Sequence, residues 1–213
     1  MKPNTDIECR LEFLRAAESL KDTLRSAHTT TGRVESVAEH TWRLCLFAVT
    51  FADLMPEVDL LRLLRICILH DLGEAVNGDI PAPQQDATQP KSNSERADFA
   101  SLIATLPARL QESFLQDWDD YDGARSHEAR TARALDKLET ILQHNQGRNP
   151  EDFDYAFNLD YGKDKTDAIP LARRIREQLD RDTARRARAS RRPDSSQGDS
   201  FPSDSSQSDS SSS

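Results

Sequence analysis

The chain has 213 residues, of which 36% are hydrophobic and 31% are charged, and its formal net charge at pH 7 is −9. This length predicts one compact domain with at most an appendage. The negative charge disfavours a nucleic-acid-binding surface on the body of the protein. Three well-separated cysteines form no Cys-x-x-Cys pair, so we expect no disulfide framework. No run is apolar and long enough for a signal peptide or a membrane span, which predicts a cytoplasmic protein with no membrane partner.

The first third of the chain shows helical periodicity. Apolar residues recur at spacings of three and four along the run from Ile7 to Arg25. A second run begins with Ser36-Val-Ala-Glu39, whose serine and glutamate have the spacing of a capping box. Pro56 follows that run and should end its helix. We therefore predict two helices before residue 56.

The third run is apolar on nearly every side. Asp59 is a candidate N-cap, and leucine and isoleucine dominate from Leu60 to Leu69. Such a helix belongs at the centre of a bundle. We expect it to continue through His70-Asp71, so that Glu74 stands one turn beyond His70 on the same helix. Turn-forming residues, Asn-Gly and two prolines, follow this segment.

The remainder of the chain predicts further helices and then a tail. Helical patterns cover 94–106 and 127–144, and a last helix should begin near Asp167 and enter the arginine-rich segment 172–192. We interpret that segment as the solvated end of a helix, with a weak polyanion or partner contact as the alternative. No alternating strand pattern is found. The prediction is an all-α helical bundle, one domain over 5–182, with a disordered serine- and aspartate-rich tail over 193–213.

Two adjacent polar residues interrupt the third apolar run. His70 and Asp71 would be costly to bury without partners, because an unpaired carboxylate is strongly destabilised away from water. Coordination of a cation would remove that cost. The alternative is a structural His–Asp pair that caps a neighbouring helix, which is the more common role of an isolated dipeptide of this kind.

Two further residues favour the metal site. His40 lies beside apolar residues in the second helix, and Asp136 lies beside the apolar stripe of the helix over 127–144. Two imidazoles and two carboxylates suit manganese, cobalt, iron or zinc, and magnesium is also compatible with the carboxylates. Four protein ligands leave positions open for water and a phosphate oxygen, as in a catalytic site.

The order His40, His70-Asp71, Asp136 resembles the H…HD…D signature of the HD-domain phosphohydrolases. The strings ESVAEHTW, HDLGEAVNGDIPAP and LDKLE are similar to those of the 5′-deoxynucleotidases and their eukaryotic relatives, over roughly 11–179. The resemblance implies a homodimeric enzyme whose metal is held by these four residues. Members with two metals usually add two histidines before the last aspartate. In this sequence His127 is the only histidine between Asp71 and Asp136, so we expect one divalent ion.

The resemblance also assigns two acidic residues. Glu74 would activate water, and Asp79 would assist as a second acid, because a carboxylate within hydrogen-bond reach can take up and return a proton. The alternatives are a surface helix residue for Glu74 and a turn former for Asp79.

A substrate-binding arginine precedes the first metal histidine in the family. Arg25 stands fifteen positions before His40 (40 − 25), and Arg33 is closer; a guanidinium of either could bind phosphate through two hydrogen bonds. Better-known members follow this arginine with a tryptophan that excludes a ribose 2′-hydroxyl. Here Ser26 follows Arg25, so we expect weaker selection for deoxyribose.

The predicted function is metal-dependent hydrolysis of (deoxy)nucleoside 5′-monophosphates to nucleoside and phosphate. One alternative is a phosphohydrolase that acts on nucleoside triphosphates or another small phosphorylated metabolite. The other is a non-catalytic, metal-stabilised scaffold that binds nucleotides. The presence of both Glu74 and Asp79 favours an enzyme, because a scaffold needs the metal ligands but neither of these acids.

Overall fold

A computed structural model describes residues 5–78 and 91–190, so Asp79 and the tail over 193–213 lie outside the described residues. Helices dominate, which confirms the all-α prediction for the described part. In chain order the elements are α1 (Asp6–Ala17), β1 (Leu24–His28), β2 (Val34–Ser36), α2 (Val37–Thr50), α3 (Leu60–Leu69), α4 (Glu74–Asn77), α5 (Lys91–Leu102), α6 (Ala108–Gly123), α7 (His127–Gln146), α8 (Lys163–Asp167) and α9 (Pro170–Ser190). Short 3-10 turns cover Glu18–Lys21, Ala52–Leu54, Ile103–Thr105 and Tyr155–Leu159.

The first predicted helix is shorter than its periodicity indicated. It ends at Ala17, and a small antiparallel hairpin, β1 and β2, follows the 3-10 turn. Gly32 has a φ of +89°, a conformation that favours glycine, and lies in the turn between the two strands. The Thr29 amide donates to the Arg33 carbonyl at 2.7 Å and closes the hairpin. These are pairings between separate segments, and they place Arg25 on a strand where we predicted helix.

The start of α2 follows the predicted capping box. The Ser36 hydroxyl accepts a hydrogen bond from the Glu39 amide at 3.3 Å, and the Glu39 carboxylate accepts one from the Ser36 amide at 2.9 Å. Both interactions satisfy amides that have no partner within the helix. This confirmed N-terminus fixes the start of α2 and thereby the position of His40, one turn inside it.

The prediction of one helix from Leu60 through Glu74 is wrong. Asp59 caps α3 as expected, but the helix ends at Leu69, and Glu74 begins the separate helix α4. Gly73 lies in the intervening turn, where a Cβ atom would come within 2.7 Å of the Glu95 carbonyl oxygen of α5. The close approach of α5 therefore requires glycine at this break.

Helix α3 is also less central than predicted. Leu61 and Ile68 are 70% and 49% exposed, whereas the opposite side of α3 is buried. The buried side packs against α2 and α7, and α7 in turn packs against α9. Helix α7 thus occupies the middle of the bundle. The main core comprises Leu44, Leu63, Ile66, Leu135, Leu138 and Ile141, among others.

A second buried apolar cluster is formed mainly by side chains of α1, α5 and α6. It includes Phe13, Val37, Phe99, Ile103 and Trp118. Helix α6 was not predicted as an element, although its apolar residues recur at helical spacing. Within the described residues, no helix combines the length and the hydropathy that crossing a membrane requires.

Candidate metal centre

Three helical segments bring the four predicted metal ligands together. His40 comes from α2, His70 and Asp71 follow α3, and Asp136 lies in the buried middle of α7. His40 Nε2 is 3.3 Å from Asp136 Oδ1 and 3.8 Å from Asp71 Oδ2, and His70 Nε2 is 3.0 Å from Asp71 Oδ2. One ligand atom from each of His40, His70 and Asp71 lies within 4.8 Å of the others. A single cation could therefore contact His40, His70 and Asp71, and Asp136 adjoins this group through His40.

The two imidazoles present the correct nitrogen to such a cation. His70 Nδ1 lies 2.7 Å from the Cys67 carbonyl oxygen, which can only accept, so Nδ1 donates a proton there and Nε2 is the nitrogen directed at the cluster. His40 Nδ1 is hydrogen-bonded to the Glu139 carboxylate in the same sense. Both Nε2 atoms are buried and make no hydrogen bond in the described part of the chain. A bound divalent ion would satisfy both atoms, so the residues present fit a metal.

Asp136 is held in its ionised form. Its Oδ2 atom accepts hydrogen bonds from the Tyr121 hydroxyl at 2.9 Å and lies 2.8 Å from Lys137 Nζ. Burial alone would raise the pKa of Asp136, but Lys137 and His40 hold that pKa well below its ordinary value. The Oδ1 atom remains directed at His40 and is available as a ligand.

The surroundings of His40 favour positive charge. Burial and the neighbouring Arg25 lower its pKa, but Glu139 and Asp136 outweigh them and raise the pKa of His40 to about 9 in the metal-free protein. The field that stabilises an imidazolium here would equally stabilise a divalent cation beside a neutral ring.

Glu139 orients His40 by binding the Nδ1 atom of its ring. Its side chain is fully buried on α7, one turn after Asp136, and its Oε1 atom accepts from Arg43 Nε at 2.6 Å. Metal-binding histidines usually donate their second N–H to a carboxylate of this kind, which sets the tautomer and the ring orientation. We therefore interpret Glu139 as the residue that aims His40 Nε2 at the metal.

Replacing Glu139 with alanine is expected to weaken metal binding about 10- to 100-fold, the usual effect of losing such a partner. The loss follows because the His40 ring would no longer be held in one tautomer. Isothermal titration of the metal-free protein with Mn²⁺ would measure it. Gln146→Ala is the matched control, since Gln146 also lies on α7 and contacts Arg43 at 3.4 Å. Equal losses in both variants would contradict the orienting role.

The structure places only one of the two predicted acids. Glu74 begins α4 with its side chain buried, and its amide donates to the Asp71 carbonyl at 3.0 Å. Glu74 therefore stands one tight turn from the candidate ligand Asp71, although not on the same helix. Asp79 lies outside the described residues, and its role stays a prediction.

The two candidate arginines have different surroundings. Arg25 Nη2 donates to Thr140 Oγ1 at 3.1 Å, and its Nη1 atom is buried without a hydrogen bond in the described residues. Burial alone would lower the pKa of Arg25, but the nearby carboxylates, Glu139 and Asp71 first, raise it above its ordinary value. Arg33 instead pairs with Glu39 at 2.6 Å and is 58% exposed. Of the two, Arg25 is the arginine beside the ligand cluster.

Sequence patterns missed several residues of the site. Glu139 had a usable signal, because an acidic residue three positions after Asp136 shares its helix face. Tyr121 had none, since its contact with Asp136 depends on how α6 packs against α7. Lys137 likewise takes its place beside Asp136 only in the folded chain.

The chain matches the family model described as HD domain over residues 17–176. It is 30% identical to the Bos taurus and Homo sapiens proteins named 5′-deoxynucleotidase HDDC2, over 135 residues that make up 62% of this chain and 65% of each of theirs. The Xenopus laevis protein of that name is 27% identical over 84% of this chain and 92% of its own. The chain thus spans slightly less than two thirds of the mammalian relatives in these matches.

A solved structure gives an independent comparison. The protein titled predicted metal-dependent phosphohydrolase from Magnetospirillum magnetotacticum MS-1 aligns with a TM-score of 0.67 and 25% identity, over 83% of this chain and 96% of its own. The similarity therefore covers the helical bundle that carries the ligand cluster. Because the family model extends from α1 into α9 and includes all four candidate ligands, this chain belongs to the HD domain family.

Proposed function

We propose that this protein is a metal-dependent phosphohydrolase that converts nucleoside 5′-monophosphates to nucleoside and phosphate. The observation that carries the proposal is the buried ligand cluster, in which two imidazole nitrogens lack hydrogen bonds beside an arginine with an unused donor. The names of the relatives support it, since they are called 5′-deoxynucleotidases, and a similar solved structure is called a metal-dependent phosphohydrolase.

Each residue would have a defined task in that reaction. A divalent ion held by His40, His70, Asp71 and Asp136 would, when bound, polarise a phosphate oxygen and lower the pKa of a coordinated water. Arg25 would bind a second phosphate oxygen through Nη1 and offset its charge. Glu74 would take a proton from the attacking water while the oxygen of that water forms a bond to phosphorus. The P–O5′ bond breaks, and Glu74 would return the proton to the nucleoside oxygen.

The donor set of two nitrogens and two carboxylates favours one ion of manganese, cobalt, iron or zinc, with magnesium as a weaker fit. A phosphate-release screen tests the proposal. It would use ribo- and deoxynucleoside mono-, di- and triphosphates, with manganese, cobalt and magnesium supplied in turn. We expect release from monophosphates. Phosphate release only from triphosphates, or only from other phosphorylated metabolites, would show that the proposed monophosphate substrate is wrong. Nucleotide binding without phosphate release would indicate a nucleotide-binding scaffold.

We also propose a homodimer, supported by an exposed apolar stripe on α2. Trp42, Leu46 and Val49 lie at successive turns of one face and are 65%, 47% and 51% exposed. Replacing Leu46 with aspartate is expected to convert a dimer to a monomer, because a charge would be buried at the interface. Light scattering after gel filtration measures the mass. Leu61→Asp, at a 70% exposed position on α3, is the control; a monomeric wild type would refute the dimer.

Discrimination between sugars is expected to be weak. Ser26 follows Arg25 on β1 and is exposed, and its side chain is much smaller than the tryptophan that better-known members have at this position. A pocket that merely tolerates an extra hydroxyl discriminates at most about a hundredfold. We therefore expect kcat/KM values for AMP and dAMP to differ by less than this factor. Ser26→Trp should increase the preference for dAMP. A larger preference in the wild type would contradict the prediction.

A further inference from the structure

Tyr121, on α6, contacts two of the candidate metal ligands. Its hydroxyl is 2.9 Å from Asp136 Oδ2 on α7. Its ring centroid is 4.9 Å from that of His70, which follows α3, and the two rings are inclined at 59°. Asp136 and His70 are far apart in sequence, so one side chain of a third helix connects two ligands that the chain supplies separately.

The end of α6 is held against both of the helices that supply these ligands. Asp120, the residue before Tyr121, is buried and accepts a hydrogen bond from Arg62 of α3 at 2.7 Å. The other oxygen of Asp120 accepts from the Ser126 amide at 2.8 Å, and Ser126 is the N-cap of α7. Hydrogen bonds to an ionised group are the stronger ones in proteins. The place of Tyr121 is therefore fixed relative to α3 and α7 at the same time.

A cation also contacts the Tyr121 ring. Arg133 of α7 lies over this ring, with its Cζ atom 5.8 Å from the ring centroid. The same guanidinium donates to the Asp122 carbonyl at 2.6 Å, which ties it to the end of α6. A guanidinium over an aromatic face is attracted to it, so Arg133 restricts the positions that the ring can take.

The hydroxyl of Tyr121 determines which oxygen of Asp136 remains for a metal. An ionised carboxylate can only accept hydrogen bonds, so the hydroxyl donates to Oδ2. Lys137 Nζ lies 2.8 Å from the same oxygen. Oδ2 thus has two donors, whereas Oδ1 is 3.3 Å from His40 Nε2. A carboxylate that binds through one oxygen leaves more of the coordination positions of the metal open to water and substrate.

We propose that Tyr121 is a positioning residue for the metal, which commits Asp136 to bind through Oδ1 alone and confines the His70 ring. This inference rests on the metal dependence of the proposed function and adds a residue that acts through two ligands. Loss of a hydrogen-bonding partner of a metal ligand typically lowers metal affinity about 10- to 100-fold.

The test removes the hydroxyl and the ring of Tyr121 separately. Tyr121→Phe keeps the ring, so the Kd for Mn²⁺, measured by calorimetry on the metal-free full chain, should rise about 10- to 100-fold. Tyr121→Leu also removes the ring contact with His70 and should raise the Kd further.

The visible absorption spectrum of the Co²⁺-saturated protein gives a second readout. It depends on which atoms bind the ion, so it should change in Tyr121→Phe, where Oδ2 of Asp136 has lost one donor. A purely structural role for Tyr121 would leave the ligands of the saturated site, and therefore the spectrum, as in the wild type.

Tyr155→Phe is the matched control. The Tyr155 hydroxyl also has a hydrogen bond, from Asn149 at 3.0 Å, but that partner is not a candidate ligand. This variant should keep the wild-type Kd and spectrum. Melting temperatures of the metal-free proteins identify any folding defect. If the Tyr121 variants do not fold, Arg133→Gln decides the question, because it loosens the ring without changing Tyr121 and should also raise the Kd.

The outcomes separate this inference from the proposed function. A wild-type Kd in Tyr121→Phe, or a higher Kd with an unchanged cobalt spectrum, would overturn the role of Tyr121 and leave the proposed function intact. The expected Kd and spectrum, in a protein that releases no phosphate from nucleotides, would support Tyr121 and contradict hydrolysis. If the wild type binds neither Mn²⁺ nor Co²⁺, both proposals are wrong.

Discussion

Replacing either His70 or Asp71 with alanine is expected to abolish metal binding and phosphate release together. His70 Nε2 is buried and lies 3.0 Å from Asp71 Oδ2, so the two side chains present their ligand atoms to the same point. Removing one leaves its partner buried without the group that compensates it, which costs several kcal/mol. Elemental analysis of the purified variants should show the metal content falling from about one ion per chain to near zero.

A stability measurement gives a second readout of the same loss. A metal that binds only the folded state raises the melting temperature, so added Mn²⁺ should stabilise the wild type and not the His70→Ala or Asp71→Ala variants. His127→Ala is the matched control, because His127 also belongs to the bundle but is 36% exposed at the start of α7. It should keep both metal and activity. Full metal occupancy in the two ligand variants would refute the site.

The candidate metal ligands could be recognised in the sequence because each is an anomaly within a local pattern. His70 and Asp71 interrupt a run of leucine and isoleucine, and His40 and Asp136 lie on the apolar sides of amphipathic helices. Burying such residues requires a partner, and this requirement can be recognised before the fold is known. The capping box at Ser36 was predictable for the same reason, since its two hydrogen bonds join residues three positions apart.

Features that depend on contacts between distant segments were not predictable in this way. The break after Leu69 coincides with the approach of α5 to Gly73, which is more than twenty residues from Glu95 in sequence. The strand that carries Arg25 exists because β2 pairs with it. Arg25 was therefore identified through the family resemblance and not from a local pattern.

The α3–α4 break changes the physical argument for Glu74. On a continuous helix, Glu74 would follow His70 by one turn and share its face. Instead, the chain turns at Asp71, and Glu74 is the first residue of α4, with its amide bound to the Asp71 carbonyl at 3.0 Å. A side chain anchored this close to a ligand, but on a different element, can act on water without being needed to hold the metal.

Glu74→Gln is therefore expected to retain the metal and lose turnover by about a hundredfold or more, as is typical when a general acid–base residue is removed. The amide has nearly the same shape as the carboxylate but cannot take a proton, so KM should change little while kcat falls. Elemental analysis and phosphate-release kinetics on the same preparation measure both effects.

Asn77→Ala provides the matched control for this experiment. Asn77 lies in the same short helix, is exposed, and donates to Asp98 at 2.8 Å, so its loss perturbs α4 without removing an acid. It should retain metal and most of the rate. Loss of metal from Glu74→Gln would make Glu74 a ligand and not a base. A wild-type rate in the folded variant would assign proton transfer to another group, and Asp79 would then be the first carboxylate to replace.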